Sequence, residues 1–449
     1  MEIATGTLAE PIVAPEPEPP LRDLTPAQWV RANLASTPLN ALLTVVVGVI
    51  AAWAAYQLAR WVFVTGDWAV VRVNLKLFMV GFYPADQLWR LWAAGYVVVA
   101  AVAFAGGALS VAVRRPIDAT AGVAARDGGG DDGGGAREGR GRRDVGARTG
   151  RGRRIVGALH RFWPAVLGVV AILSFTRTPL PTIGIVGALV LGGVAAAAGA
   201  RTPDRLRRWS PLVAVVGLVV SLQIVLGGGE QTGWDDWGGL HLVVSATVAG
   251  IALAFPLGLL LALGRRSSLP AIRIASTGYI EAFRAVPLVT LLFLGQYMIG
   301  FMFPNTIEPP SFLVRAVIAI TLFEAAYIAE IVRGGLQAVP RGQVEAAQAI
   351  GLSPIGVMRL VVLPQALRAV IPAMVGQFIS LFKDTSLLAI VGFFELIEVS
   401  DAVTKQDAFR GQGLRPLALA FVGLIYWAGC STMSRESQRL ERRLGVGER

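Results

Sequence analysis

The chain has 449 residues, 54% hydrophobic and only 16% charged, with a mean hydropathy of +0.59. A soluble domain carries about 25% charged residues, so this chain has too little charge to cover a water-facing surface, and a multi-span integral membrane protein fits instead. The balance is basic, 41 Lys+Arg against 30 Asp+Glu for a net charge of +11, but most basic residues flank apolar runs. That pattern is the positive-inside bias of membrane proteins, so no nucleic-acid partner is expected. Cys430 is the single cysteine, and His160 and His241 are far apart, which excludes an intrachain disulfide and leaves no Cys/His cluster for a metal.

Residues 1–37 read as a cytoplasmic tail and an interfacial helix. Met1 to Pro20 is acidic and proline-rich, without the basic and apolar regions of a signal peptide, so the first span is expected to insert uncleaved. Thr25-Pro26 marks a helix start, with Thr as N-cap and Pro at the first position. Two spans follow within 38–113: Pro38 to Val62, and the charge-free Leu91 to Val113. Between them, Trp68, Phe78, Phe82 and Tyr83 are placed near the membrane interface on an external loop.

Residues 114–161 contain twelve arginines and runs of glycine. Nothing there can bury enough surface to offset ordering, which predicts a flexible cytoplasmic loop. Three further spans are expected in 162–236: Phe162 to Phe175, Leu180 to Ala200 and Pro211 to Leu226. Gly184, Gly187, Gly192 and Gly193 allow close helix approach in the second of these. Five more follow in 237–433: Leu240 to Gly264, Gly278 to Met302, Phe312 to Ile331, Val370 to Phe394 and Pro416 to Cys430. A basic cytoplasmic tail occupies 434–449. The expected class is therefore an all-α integral membrane protein of about ten transmembrane helices. Ten spans place both termini and every strongly basic loop on the cytoplasmic side.

The strongest signal lies in the loop 336–369, which is too polar and broken to span. Val339-Pro340 predicts a helix start with Pro at the first position, Gly351 a left-handed stop, and Ser353-Pro354 a second start. Pro364 and Pro372 are expected to punctuate the return to the membrane. The result is an elbow whose first helix carries Glu345-Ala346-Ala347. Small alanines let a helix lie deep in a partner's groove, and a nearby Glu can pair with a basic residue there. An ordinary interfacial loop would explain the same composition.

The run Glu345-Ala346-Ala347, three residues, Gly351, nine residues, Val361, one residue, Leu363-Pro364 resembles the EAA motif of the membrane subunits of binding-protein-dependent ABC importers. It departs only at Val361, where Ile is usual. The stretch from Trp237 to about Arg443 resembles the polar amino acid permeases, through Tyr279 to Arg284, Glu324 to Gly335 and Lys383 to Leu387. The long N-terminal region looks like the larger permease subunit of general L-amino acid importers. The resemblance implies a C-terminal five-helix permease core. It also implies that Glu345, Ala346, Ala347, Gly351, Val361, Leu363 and Pro364 form the contact with a separate ATPase subunit. The further partners implied are a homologous permease subunit, an external amino acid-binding protein and the lipid bilayer, in a bacterial inner membrane.

No GxxxxGK[ST] run is present, so the chain is not expected to be an enzyme or to hold a cofactor; ATP and magnesium belong to the ATPase. Intramembrane charges are costly and mark candidate paths: Glu281, Arg284, Glu324, Lys383 and Asp384. Glu281 and Arg284, and likewise Glu330 and Arg333, have the three-residue spacing of a same-face pair. Such groups would either meet the zwitterionic head of an amino acid or bind helices together. Gln296, Tyr297, Met298 and Met302 are read first as packing residues. The competing class is a stand-alone ion-coupled transporter using Glu324 or Asp384.

Overall fold

The computed structural model describes residues 25–127, 162–176, 178–226, 236–304 and 306–444; the acidic tail and most of the arginine–glycine loop lie outside the described residues. The chain divides into two units, Met1–Gly66 and Asp67–Arg449. In the first, α1 (Pro26–Asn33) opens on a reciprocal capping box between Thr25 and Gln28, and α2 (Pro38–Arg60) opens on Thr37, whose side chain accepts from Asn40 N. No side chain of α2 is buried, as expected of a helix whose apolar surface faces lipid.

The second unit begins with two short helices, α3 (Ala69–Val73) and α4 (Leu75–Val80), then α5 (Leu88–Asp127), α6 (Trp163–Ser174), α7 (Leu180–Ala200), α8 (Asp204–Arg207) and α9 (Ser210–Leu226). The helix of span two does not stop near Val113 but runs into the expected loop as far as Asp127. Small residues set the packing of α5 on α7. A Cβ on Gly107 would stand 2.1 Å from the Ala196 carbonyl oxygen, and one on Gly199 would stand 2.0 Å from that of Phe104. Gly184, Gly187 and Gly192 likewise face Trp92, Tyr96 and Val99 of α5, whereas Gly193 faces open space.

The remaining helices are α10 (Gly239–Arg265), α11 (Pro270–Ala285), α12 (Leu288–Phe293), α13 (Phe312–Ala338), α14 (Arg341–Ala349), α15 (Pro354–Val357), α16 (Leu363–Asp384), α17 (Leu396–Thr404) and α18 (Arg415–Leu444). Each of the ten expected apolar segments contains helix, the seventh broken at Val286-Pro287 and the ninth passing at Thr385 into a 3-10 turn that ends at Val391. Among the described residues seven helices are long and apolar enough to cross a membrane, and eight if one bent pair counts as a span. The other two, α6 and α9, are shorter; the 12 residues of α6 reach only about 18 Å at 1.5 Å per residue.

The bent pair corrects the expectation of a single span from Gly278 to Met302. The helical run Leu288–Met302 is bent by 104° from α11. Val286 precedes Pro287 and is forced out of the helical region, at φ −104° and ψ 134°. A second correction concerns Pro364 and Pro372. Neither interrupts the return: α15 passes through a π-helical turn at Met358–Val362 into α16, which contains both prolines. Pro364 sits directly after that π-helical turn.

α10, α13 and α16 form the centre of the C-terminal core. Gly258 of α10 faces the Ala325 carbonyl, and Gly335 of α13 faces that of Ala366. The buried side chains around them include Ile280, Ile328, Val332, Val357 and Val370. At the end of α10 away from α14, the segment 67–83 covers the core. Phe78 and Tyr83, expected near the interface, have no exposed surface; Phe82 remains 57% exposed. Phe78 packs edge-on against Phe421 at 5.3 Å, and Tyr83 donates to the Val225 carbonyl at 3.3 Å. Gly81, at φ +64°, lies so close to Gly238 that a Cβ would stand 2.5 Å from its Cα.

Candidate functional site

The elbow is built from local caps. Pro340 is the N-cap of α14, one position earlier than its expected place as first helical residue. Gly351 closes the helix at φ +83°, where glycine avoids the Cβ penalty. Its N–H donates to the Gln348 carbonyl at 2.9 Å and that of Leu352 to Ala347 at 3.2 Å, which satisfies two of the carbonyls a helix end leaves open. Ser353 then caps α15 by accepting from Gly356 N at 3.2 Å.

These caps give the elbow two faces. Ala347 is buried beside Val357, Val362 and Ala366, with Val361 and Leu363 packed against the same cluster. Ala347 thereby holds α14 onto the core, and the half-buried Val361 and Leu363 pack beside it. Glu345, Ala346, Gly351 and Pro364 are exposed. Around them stand Ile350, 78% exposed, and Ile355, 79% exposed, neither of which the motif singles out. A cavity of about 380 Å³ lies beneath α14, lined by Arg266, Val339, Arg341, Gln348, Met358 and Val362 among others.

Beside the elbow, charges tie three helices together. Arg265 of α10 reaches Glu281 of α11 at 3.1 Å and Glu330 of α13 at 3.4 Å. Arg333 donates from Nε to Glu330 at 2.9 Å, and Arg284 stands 3.8 Å from the same carboxylate. Glu330 and Arg333 form the expected same-face pair. Glu281 and Arg284 do not pair with each other: Glu281 is drawn to Arg265, while Arg284 turns to Glu330 and lies over the Tyr327 ring at 5.6 Å. The alternative partners sit on neighbouring helices, so tertiary packing overrides the spacing rule. Glu330, with three arginines around it, is the hub; Arg265 is the member the sequence reading missed, and its place at the end of an apolar run was the signal available.

The other path candidates are not gathered at this cluster. Glu324 is 1% exposed in the α13–α16 interface and accepts from Gln377 Nε2 at 3.0 Å. It is enclosed within the chain, between α13 and α16. Lys383 is exposed and Asp384 half-buried at the far end of α16. Gln296 is buried, but Tyr297 and Met302 are 57% and 80% exposed, facing out of the chain and so not packed within it as expected. No group of three metal-ligating side chains occurs among the described residues.

Two polar features escaped the sequence reading. Arg315 donates from Nε to the Pro310 carbonyl at 2.7 Å and from Nη1 to that of Gln296 at 3.0 Å, satisfying backbone that irregular structure leaves open. Glu395 has no exposed surface. It caps α17 by accepting from Ile397 N at 2.7 Å and Glu398 N at 3.1 Å, with the Tyr426 hydroxyl at 3.5 Å. Burial pushes its carboxyl up to about 7, against the lowering effect of those hydrogen bonds.

Residues 254–446 match the family described as binding-protein-dependent transport system inner membrane component. Over 98% of its length the chain is 33% identical to the glutamate/glutamine/aspartate/asparagine transport system permease protein BztC of Rhodobacter capsulatus, and covers 98% of that protein. The chain belongs to this family of amino-acid ABC transporter permeases. Its leading half is shared with the Rhodobacter relative. A second relative, the inner membrane amino-acid ABC transporter permease protein YhdY of Escherichia coli, is 45% identical over 49% of this chain and 59% of its own. A solved amino acid ABC transporter is 30% identical, covering 45% of this chain and 90% of that one, with a TM-score of 0.40. As a permease of this family, the chain is a multi-pass inner-membrane protein.

Proposed function

We propose that this permease forms the translocation path of an ATP-driven importer of polar L-amino acids, working by alternating access. The observation that carries the reading is the outward face of α14. Glu345, Ala346 and Gly351 are exposed beside Ile350 and Ile355, while Ala347 anchors the helix to the core. An exposed apolar pair rimmed by one carboxylate suits a groove of a separate ATPase subunit, which holds ATP and magnesium. Both termini and the elbow are then cytoplasmic. Closure of the ATPase pair moves α14, and the charge network of Arg265, Glu281, Arg284 and Glu330 passes that motion to α10, α11 and α13. An external binding protein delivers the amino acid, and a homologous permease completes the path. Lys383 and Asp384, at the opposite end of α16, belong to the entrance; Glu324 joins the path only in another conformation. The substrates named for the Rhodobacter relative, glutamate, glutamine, aspartate and asparagine, are the first to test.

The test is uptake of labelled glutamate and glutamine into vesicles containing this chain, its permease partner and the ATPase, with and without internal ATP. Uptake that needs ATP and the binding protein supports the importer. Uptake by this chain alone under a proton gradient would overturn it in favour of an ion-coupled carrier.

A further inference from the structure

A cavity of about 700 Å³ opens along the arginine-bearing half of α18. Ser431, Arg435, Gln438 and Arg442 recur there at spacings of three and four, so one stripe of the helix faces the opening. Arg435, Arg439 and Arg442 all line it, and no carboxylate does. Glu436 pairs with Arg439 at 2.5 Å, which offsets one of the three charges. Arg435 and Arg442 have no acidic partner among the described residues, so the opening keeps two uncompensated positive charges.

The apolar side chains of the lining are Ile379 of α16 and Trp427 of α18, at the point where the apolar part of α18 gives way to its arginines. The indole of Trp427 packs on Trp163 of α6 at 5.4 Å, and the guanidinium of Arg435 lies over that same Trp163 ring at 4.7 Å. Arg435 is thereby held in place before any ligand arrives, which lowers the ordering cost of binding. Aromatic rings of this kind settle at headgroup level in a membrane.

We infer that this opening is a binding site for an anionic phospholipid. The arginines and the hydroxyl and amide groups of Ser434 and Gln438 receive the phosphate, and the acyl chains run down over Ile379 and Trp427. Charge complementarity selects the anion, and the apolar pair selects a lipid over a free phosphate. The site depends on the membrane placement of α18 and not on what the permease carries.

The test uses the full chain purified in neutral detergent, with thermal unfolding followed as lipid is added. Phosphatidylglycerol is expected to raise the unfolding temperature by several degrees, with phosphatidylcholine and inorganic phosphate having no such effect. At about 1 kcal/mol, or about fivefold, per arginine, the R435Q/R442Q variant should need roughly 25-fold more phosphatidylglycerol for half the effect. The R435K/R442K variant should behave close to wild type, which separates loss of charge from loss of fold. An equal shift with phosphatidylcholine, an equal shift with inorganic phosphate, or an unchanged requirement in R435Q/R442Q overturns the site.

Discussion

The elbow and the cap lie at opposite ends of α10, and they are held by opposite kinds of interaction. The elbow runs from Pro340 to Leu363 and is shaped by caps that each bond a residue three to five positions away, as from Gly351 to Gln348 or Gly356 to Ser353. The cap joins Asn74 to Gln406, 332 positions apart, through two amide hydrogen bonds of 2.9 and 3.2 Å, and seats Gly81 on Gly238. One end of the permease presents an exposed surface on a locally determined frame. The other is a buried joint that exists only when distant segments meet. Substitutions at the cap should therefore act on stability, and those on the outer face of the elbow on transport.

The largest effect on the fold is expected from Gly81→Val. It adds left-handed strain of about 1–2 kcal/mol to a backbone clash of about 1–3 kcal/mol, and should be read as a fall in unfolding temperature of the purified chain. Wild-type stability in that variant would remove the cap from the fold's supports. Next is Glu395, beside the cap. Its folded carboxyl titrates near 7 against an ordinary value of 4.5. Its protonated form therefore favours the folded state: the contribution is fully present below about pH 4.5 and is lost as pH rises through about 7. Wild type should lose stability between pH 5 and pH 8, on the order of 2 kcal/mol, relative to Glu395→Gln. Parallel pH curves for the two would show that the group is not buried as described.

A smaller effect is expected at Asn74 and Gln406. Alanine at each, combined in a double-mutant cycle of thermal stability, should reveal a coupling of about 1 kcal/mol; simple additivity would break the joint. The smallest effect on stability is expected from Glu345→Lys, within about 0.5 kcal/mol for an exposed position. ATP-dependent uptake should nevertheless be lost, because the reversed charge meets the ATPase surface. If that variant transports normally, the elbow has no docking role; if it fails to fold, the contrast between the two ends is lost.

Most of the elbow was legible because its signals are short-range: Gly351 needs a left-handed backbone, and Ser353-Pro354 is a cap and a first helical position whatever surrounds them. The face that Ala347 turns inward was not legible, because it depends on where Val357 and Ala366 arrive. The prolines show the same limit. Pro287 breaks its helix by 104°, whereas Pro364, directly after a π-helical turn, and Pro372, inside α16 with no such turn before it, are both absorbed. Among the charges, the spacing of Glu330 and Arg333 sufficed for a pair. For Glu281 and Arg284 a neighbouring helix offered each a better-placed partner.

By itself the sequence determined that this is a membrane protein of apolar helices, where they lie along the chain, and where the polar elbow interrupts them. Each of these follows from residue hydropathy, glycine and proline geometry, and spacing within about one helical turn. Tertiary structure alone decided that Phe78 and Tyr83 of the segment 67–83 are buried, that Glu324 is enclosed with Gln377, and that Arg265 and Arg284 join Arg333 around Glu330. Those outcomes turn on which distant surfaces exclude lipid and water from one another, and no local pattern in the chain encodes that choice.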